Sequence, residues 1–175
     1  MNKKPKPDLA AIELLALDVD GVLTDGRVIV HSDGGESKCF NILDGHGIRM
    51  WQRAGLKVAL LSGRVSQATT RRAQELEIPY VIQDSHSKLP ALTHLLAELG
   101  LPPEKAAYVG DDLMDLPIVR HVGFGVAVAN AVDELKEHAD YVTARRGGEG
   151  AVREVIEYIL KGSGRWAGLM ERYLT

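Results

Sequence analysis

Asp18 and Asp20 stand two residues apart at the end of an apolar run, Leu14-Leu15-Ala16-Leu17, and the chain breaks at Gly21 directly after them. In an extended strand, residues i and i+2 face the same side, so both carboxylates can project into one site at the strand's carboxyl end. In an open α/β sheet, that edge is where ligands bind. Other polar groups take up comparable places: Ser62-Gly63-Arg64 follows the apolar stretch KVALL, Lys88 opens a helical pattern, and Asp111-Asp112 follow Gly110.

Together these groups suit phosphoryl transfer. A carboxylate such as Asp18 can attack phosphorus and carry an aspartyl-phosphate, which divides one difficult displacement into two easier ones. Asp20 is placed to protonate a leaving alkoxide and then to activate water. Two anions would repel a phosphate dianion. A hard cation resolves that conflict, and Mg²⁺ prefers a few carboxylates with waters and phosphate oxygens. Asp111 is the third acid for such a metal, with Asp112 a further ligand or a support behind it. Ser62 and the Gly63 amide, read as a helix N-terminus, favour a phosphate. Lys88 adds a mobile positive charge for the transition state.

Each feature taken singly has an ordinary explanation. Asp and Gly stabilise turns, Ser and Gly cap helices, a helix lysine is commonly solvated, and Asp111-Asp112 could be an N-cap. What favours chemistry is their joint placement at the strand ends and following loops of one sheet.

The elements that must position them follow from the pattern. Strands are expected at Leu14 to Leu17, Lys57 to Leu61, Tyr80 to Ile82, Ala106 to Val109, Gly125 to Val128 and Tyr141-Val142. Helices are expected over Asp44 to Ala54, up to Leu76, Lys88 to Leu99, Asp112 to His121, Val132 to His138 and Gly150 to Leu160. This alternation points to an α/β fold with a parallel sheet covered on both faces. Asp33-Gly34-Gly35 between two short extended segments marks a β-hairpin over residues 27–40. Residues 1–10 read as a frayed tail, and Gly162-Ser163-Gly164 loosens the chain before a tail in which Trp166, Leu169 and Tyr173 should pack on the body or on another subunit.

With 175 residues the chain fits one domain. A net charge of −3 and no dominant basic patch argue against nucleic acid as a partner. Cys39 is the single cysteine, so no intramolecular disulfide forms, and nothing near it suggests an activated thiolate. No apolar run approaches membrane-spanning length, and the N-terminal residues lack a signal-peptide core, so a cytoplasmic protein is expected with no membrane partner. His31, His86 and His94 show no metal-ligand spacing.

The series Asp18-Val-Asp20-Gly-Val-Leu-Thr24, Leu61-Ser62-Gly63-Arg64, Lys88 and Val109-Gly110-Asp111-Asp112 with Asp115 resembles the four motifs of the haloacid dehalogenase superfamily of phosphatases. That resemblance implies a Rossmann-like sheet, Mg²⁺, Asp18 as nucleophile, Asp20 as acid/base, and a metal site from the Asp18 side chain, the Asp20 carbonyl and Asp111. The segments around Asp20 to Gly26, Asn41 to Gly47, Tyr108 to Leu113 and Arg146 to Glu154 further resemble members without a cap domain that hydrolyse 3-deoxy-D-manno-octulosonate 8-phosphate for lipopolysaccharide. Related phosphatases of nine-carbon sugar acids, and a non-catalytic assembly domain, are the alternatives on this scaffold. The resemblance also implies a homotetramer, with the hairpin as an oligomerising flap and residues 145–151 approaching a neighbour's site. Arg64 and Arg72 are candidates for the sugar-acid carboxylate. His46 departs from the pattern, where an aromatic such as Tyr is expected.

Overall fold

The computed structural model describes residues 6–85 and 87–174. Strands β1 (Leu14–Leu17), β4 (Lys57–Leu61), β5 (Tyr80–Ile82), β6 (Ala106–Gly110), β7 (Phe124–Ala127) and β8 (Tyr141–Val142) form one sheet in the order β5-β4-β1-β6-β7-β8. All its pairings are parallel. The all-apolar β1 is fully buried, as a strand covered on both faces must be.

Register fixes the height of the site. Leu17 lies opposite Leu60 of β4 and Val109 of β6, and the Asp18 amide donates to the Val109 carbonyl at 3.0 Å. The residues following these strands therefore emerge at one edge. The strand order also reverses at β1, because β4 and β5 lie to one side and β6 to β8 to the other. A crevice opens at such a reversal.

Helices α1 (Ile42–Arg53), α2 (Gln67–Glu75), α3 (Lys88–Leu99), α4 (Leu116–His121), α5 (Asp133–Lys136), α6 (Ala151–Gly162) and α7 (Trp166–Met170) complete the fold. Asn41 caps α1 by accepting from the Leu43 amide at 2.8 Å, and the Ser66 hydroxyl caps α2. On α6, Ala151, Val152, Val155, Ile156, Ile159 and Leu160 make the buried stripe. The stripe packs close to α1, where a side chain at Gly47 would press on Arg153.

The expected helix from Asp112 to His121 divides into a 3-10 turn, Leu113–Asp115, and α4. Pro117 falls in the first turn of α4, where no intrahelical amide is needed. The expected hairpin is present as β2 (Ile29–Val30) against β3 (Glu36–Ser37), a two-stranded sheet separate from the main one. Gly34 takes φ +86° in its turn, and His31 reaches the Ser37 hydroxyl across it at 2.8 Å.

Both ends of the described chain are better anchored than their composition suggests. Residues 8–11 form a turn, Leu9 packs against the core, and Arg165 donates to the Ala10 carbonyl at 3.0 Å. The rest of the expected tail, residues 1–5, lies outside the described residues, as does His86. After Gly164, Trp166 and Leu169 of α7 also pack against the core, and Lys161 sits over the Trp166 ring.

Candidate active site

The centre of the site is the Asp18 carboxylate, 6% exposed, at the end of β1. Its Oδ1 accepts from the Val19 amide at 2.7 Å, and its Oδ2 lies 2.8 Å from the Lys88 ammonium. Lys88, at the first turn of α3, also donates to Asp115 Oδ1 at 2.7 Å. The same oxygen of Asp115 accepts from the Tyr108 hydroxyl at 2.6 Å, and its other oxygen accepts from the Asp111 and Asp112 amides at 2.9 and 3.2 Å. Asp115 thus fixes Lys88 and the loop carrying Asp111.

Asp18, Asp111 and Asp115 each place an oxygen within 4.8 Å of the others. One ammonium faces three acids, and burial together with the surplus negative charge raises two of them, Asp18 and Asp111. Burial first, then the Asp115 charge, pushes Asp18 up to about 6 against the pull of Lys88. Asp111 is pushed up to about 8 by burial, then by the charges of Asp18 and Asp115. Burial alone would lower the Lys88 pKa, but Asp18 and Asp115 outweigh it and hold Lys88 above its usual value. Burial, then Asp115, raises the Tyr108 phenol well above its ordinary value, so it serves as a donor.

Gly21 makes this crowding possible. Its φ is +91°, and a Cβ there would collide with the Asp111 carboxylate. The loop it begins is braced from behind. Thr24 accepts from the Gly21 and Gly26 amides, the Gly148 amide donates to the Val22 carbonyl at 3.0 Å, and Gly147 lies against the Gly21 carbonyl. Asn130 links the two loops, donating to the Gly21 carbonyl at 3.1 Å and accepting from the Gly147 amide at 2.6 Å. These contacts place Gly147 and Gly148 of the glycine-rich 145–151 segment on their own chain's loop.

The remaining residues singled out in the sequence are distributed unevenly. Asp20 does not direct its carboxylate to the cluster; its Oδ1 meets Lys38 of the flap at 2.7 Å. Period-two geometry fails there because the strand ends at Leu17 and Asp20 lies in the turn that follows. Ser62 and Gly63 precede α2 rather than opening it. The Ser62 hydroxyl accepts from the Arg64 amide at 3.1 Å and donates to the Arg64 carbonyl at 3.0 Å, which holds a turn before the Ser66 cap. Gly63 lies beside the Ser85 carbonyl and the Met114 methyl.

Arg64 pairs with Glu36 of the flap at 3.0 Å and lines a cleft of about 840 Å³ between flap and α2, shared with Lys38 and Arg71. Arg72 is committed elsewhere: it pairs with Glu75 at 2.8 Å, reaches the Asn41 carbonyl at 3.4 Å and lies over Phe40. His46 faces the C-terminal segment, with Nδ1 accepting from Arg153 and Nε2 2.9 Å from the Tyr173 hydroxyl.

Sequence reasoning gave no task to Asp115, Tyr108, Lys38 or Asn130. Asp112 and Asp115 form a capping box, so their i, i+3 spacing was a usable signal for Asp115. A tyrosine within a buried strand also demands a hydrogen-bond partner. Lys38 and Asn130 meet partners 18 and 109 residues away, and no local pattern marks them.

Residues 79–156 match the model of a family described as haloacid dehalogenase-like hydrolase. The 3-deoxy-D-manno-octulosonate 8-phosphate phosphatase KdsC of Escherichia coli strain K12 is 46% identical over 154 residues, covering 88% of this chain and 82% of that one. Among solved structures, a probable YrbI family phosphatase from Pseudomonas syringae pv. phaseolica 1448a superimposes with a TM-score of 0.93 at 48% identity, covering 95% of each chain. The 3-deoxy-D-manno-octulosonate 8-phosphate phosphatase of Moraxella catarrhalis, in complex with magnesium, phosphate and KDO, gives a TM-score of 0.92 at 42% identity over 94% of this chain and 95% of that one. The chain belongs to the haloacid dehalogenase-like hydrolases, on the branch of the 3-deoxy-D-manno-octulosonate 8-phosphate phosphatases.

Proposed function

We propose that this protein is a Mg²⁺-dependent phosphomonoesterase that hydrolyses 3-deoxy-D-manno-octulosonate 8-phosphate to the free sugar acid and inorganic phosphate, in the cytoplasm, for lipopolysaccharide precursor synthesis. The observation that carries this reading is the buried Asp18 carboxylate beside both Lys88 and Asp111, with Asp20 two residues on. The magnesium, phosphate and sugar acid bound by the Moraxella catarrhalis relative support the choice of substrate and metal.

The donor set fits a hard cation. Its oxygens are carboxylates, burial and then its surplus charge raise Asp18 and Asp111, and Gly21 leaves Asp111 room to enter. Asp18, Asp111 and the Asp20 carbonyl are the groups that would hold Mg²⁺. Asp115 is less suited, since both its oxygens are already taken by donors. When bound, the metal neutralises charge on the phosphoryl oxygens.

Asp18 attacks phosphorus as the bond to the sugar oxygen breaks, and Asp20 delivers a proton to that oxygen. Asp20 then takes a proton from the water that attacks the aspartyl-phosphate, which releases phosphate and restores Asp18. Lys88, held by Asp115, keeps its positive charge beside Asp18 throughout. The sugar acid lies towards the cleft under the flap, where Arg64, half-exposed and paired with Glu36 through Nη2 alone, can also meet its carboxylate.

The test is phosphate release from the eight-carbon ester, with and without Mg²⁺, beside an Asp18→Asn variant. The parent should turn over only with the metal, and the variant should be inactive yet folded. Hydrolysis surviving in Asp18→Asn would show that the nucleophile is misassigned. Equal or faster turnover of a nine-carbon sugar-acid 9-phosphate would overturn the substrate, and no hydrolysis of either ester would leave an assembly domain.

A further inference from the structure

A second buried cation lies outside the cluster around Asp18. Lys38 follows β3 at the root of the flap, its side chain is 0% exposed, and its ammonium lies 2.7 Å from Asp20 Oδ1. Glu36 Oε1 is 3.9 Å from the same ammonium and has no hydrogen-bond partner, while Glu36 Oε2 is paired with Arg64 at 3.0 Å. The groups alternate in sign: Arg64 after β4, Glu36 and Lys38 on the flap, and Asp20 after β1.

A fully buried ammonium is costly unless a carboxylate meets it, and breaking such a pair costs more than the pair contributes. The flap therefore has a strong electrostatic reason to seat itself on Asp20. Conversely, the Asp20 carboxylate takes its orientation from the flap and not from the cluster around Asp18.

We infer that Lys38 is a positioning residue for the leaving-group step: by holding Asp20 Oδ1 it assigns Oδ2 to carry the proton, and it ties that step to the seating of the flap. This inference rests on the reading of Asp20 as acid and base. In the first half-reaction the Oδ2–H bond breaks and an O–H bond forms on the sugar oxygen, which keeps the electron pair of the broken P–O bond. In the second, Oδ2 accepts a proton from the attacking water. Lys38 keeps all its protons, because Oδ1 accepts from it in either state of the carboxyl group.

A positioning role can be separated from a structural one by the leaving group. An alkyl alkoxide needs the proton, whereas p-nitrophenolate leaves without it. The quantity to compare is kcat/KM, which reports steps only up to the first departure of the leaving group. We expect Lys38→Met to lower kcat/KM for the sugar-acid 8-phosphate about 100-fold, within the usual range for a general acid, and that for p-nitrophenyl phosphate by less than about threefold. Lys38→Arg, which restores a cation, should recover most of the loss on the alkyl ester.

Asp20→Asn is the internal reference and should show the same split between the two esters. If it does so while Lys38→Met leaves both esters unaffected, or weakens both equally, the role of Lys38 is overturned. Equal effects on the two esters in Asp20→Asn would instead overturn the acid assignment on which the inference depends. Thermal unfolding of each variant, read beside the kinetics, should show a folded protein. For an unfolded Lys38→Met the decision passes to Lys38→Arg, whose failure to preserve alkyl-ester turnover while folded would likewise overturn the proposal.

Discussion

At the scale of single residues, the site depends on one absent side chain as much as on the carboxylates present. Gly21→Ala forces an alanine into φ +91° and drives its Cβ into the Asp111 carboxylate. Backbone strain alone costs about 1–3 kcal/mol, and a displaced reacting group can cost about 100-fold in rate. Gly55→Ala provides the matched control, because Gly55 also has φ +79° but nothing lies within 4 Å of the added carbon. Both variants should lose stability in urea, and only Gly21→Ala should also lose phosphatase activity and need more Mg²⁺; equal activities would separate Gly21 from the metal site. The acids at 18 and 111 and Lys88, which the fold brings together, could be picked out in the sequence because each follows an apolar strand or opens a helix, whereas Ser62, read as a helix N-terminus, precedes α2 and bonds Arg64 instead. Their partners were less so. Asp20 turns to Lys38 and Arg72 to Glu75 through contacts that hydrophobic periodicity does not encode.

At the scale of elements, α6 begins without a capping side chain of its own, since its N-cap is Gly150 at φ +97°. Asp44 of α1 supplies the missing acceptor, taking the Arg153 amide at 2.8 Å, while its other oxygen is buried without a partner. Burial pushes Asp44 up to about 6 despite the Arg153 amide, which pulls the other way. Between about pH 4 and 6 the folded state then holds a proton that the unfolded chain releases, so this group makes stability fall as pH rises through that window and level off above it. A shift of this size corresponds to about 3 kcal/mol. Asn at this position keeps the acceptor and loses the charge. Relative to the parent, Asp44→Asn should therefore gain stability by about that amount as urea unfolding is repeated from pH 4 to 6.5; a pH-independent difference would dismiss the buried charge. The strand and helix order was readable because βα alternation is written in apolar periodicity, but this cap joins helices that are 109 residues apart at the contact.

At the scale of the whole molecule, the homotetramer that the sequence resemblance implies would bury what the flap leaves uncovered. Ile29 and Val30 are 52% and 76% exposed, and Ile42 at the start of α1 is 80% exposed. Exposed apolar side chains at a site's edge favour burial against another surface. Removing residues 33–35 at the flap tip should lower the assembly's mass in sedimentation, and an unchanged mass would show that the flap does not hold subunits together. Among the described residues no helix is long and apolar enough to cross a membrane.

The central place of β1 has a consequence for the growing polypeptide. Its four residues are made early, yet one neighbour ends at Leu61 and the other at Gly110. On the ribosome, the Leu14–Leu17 segment therefore waits until Gly110 has been made with at least one unpaired edge, a state open to wrong pairing. Lys88 is delivered late in that interval, and Asp111 and Asp115 directly after it. A nascent chain stopped short of Gly110 thus carries the nucleophile without its metal-site partner and a sticky strand without its mate, so synthesis must pass that point before either hydrolysis or solubility is secured.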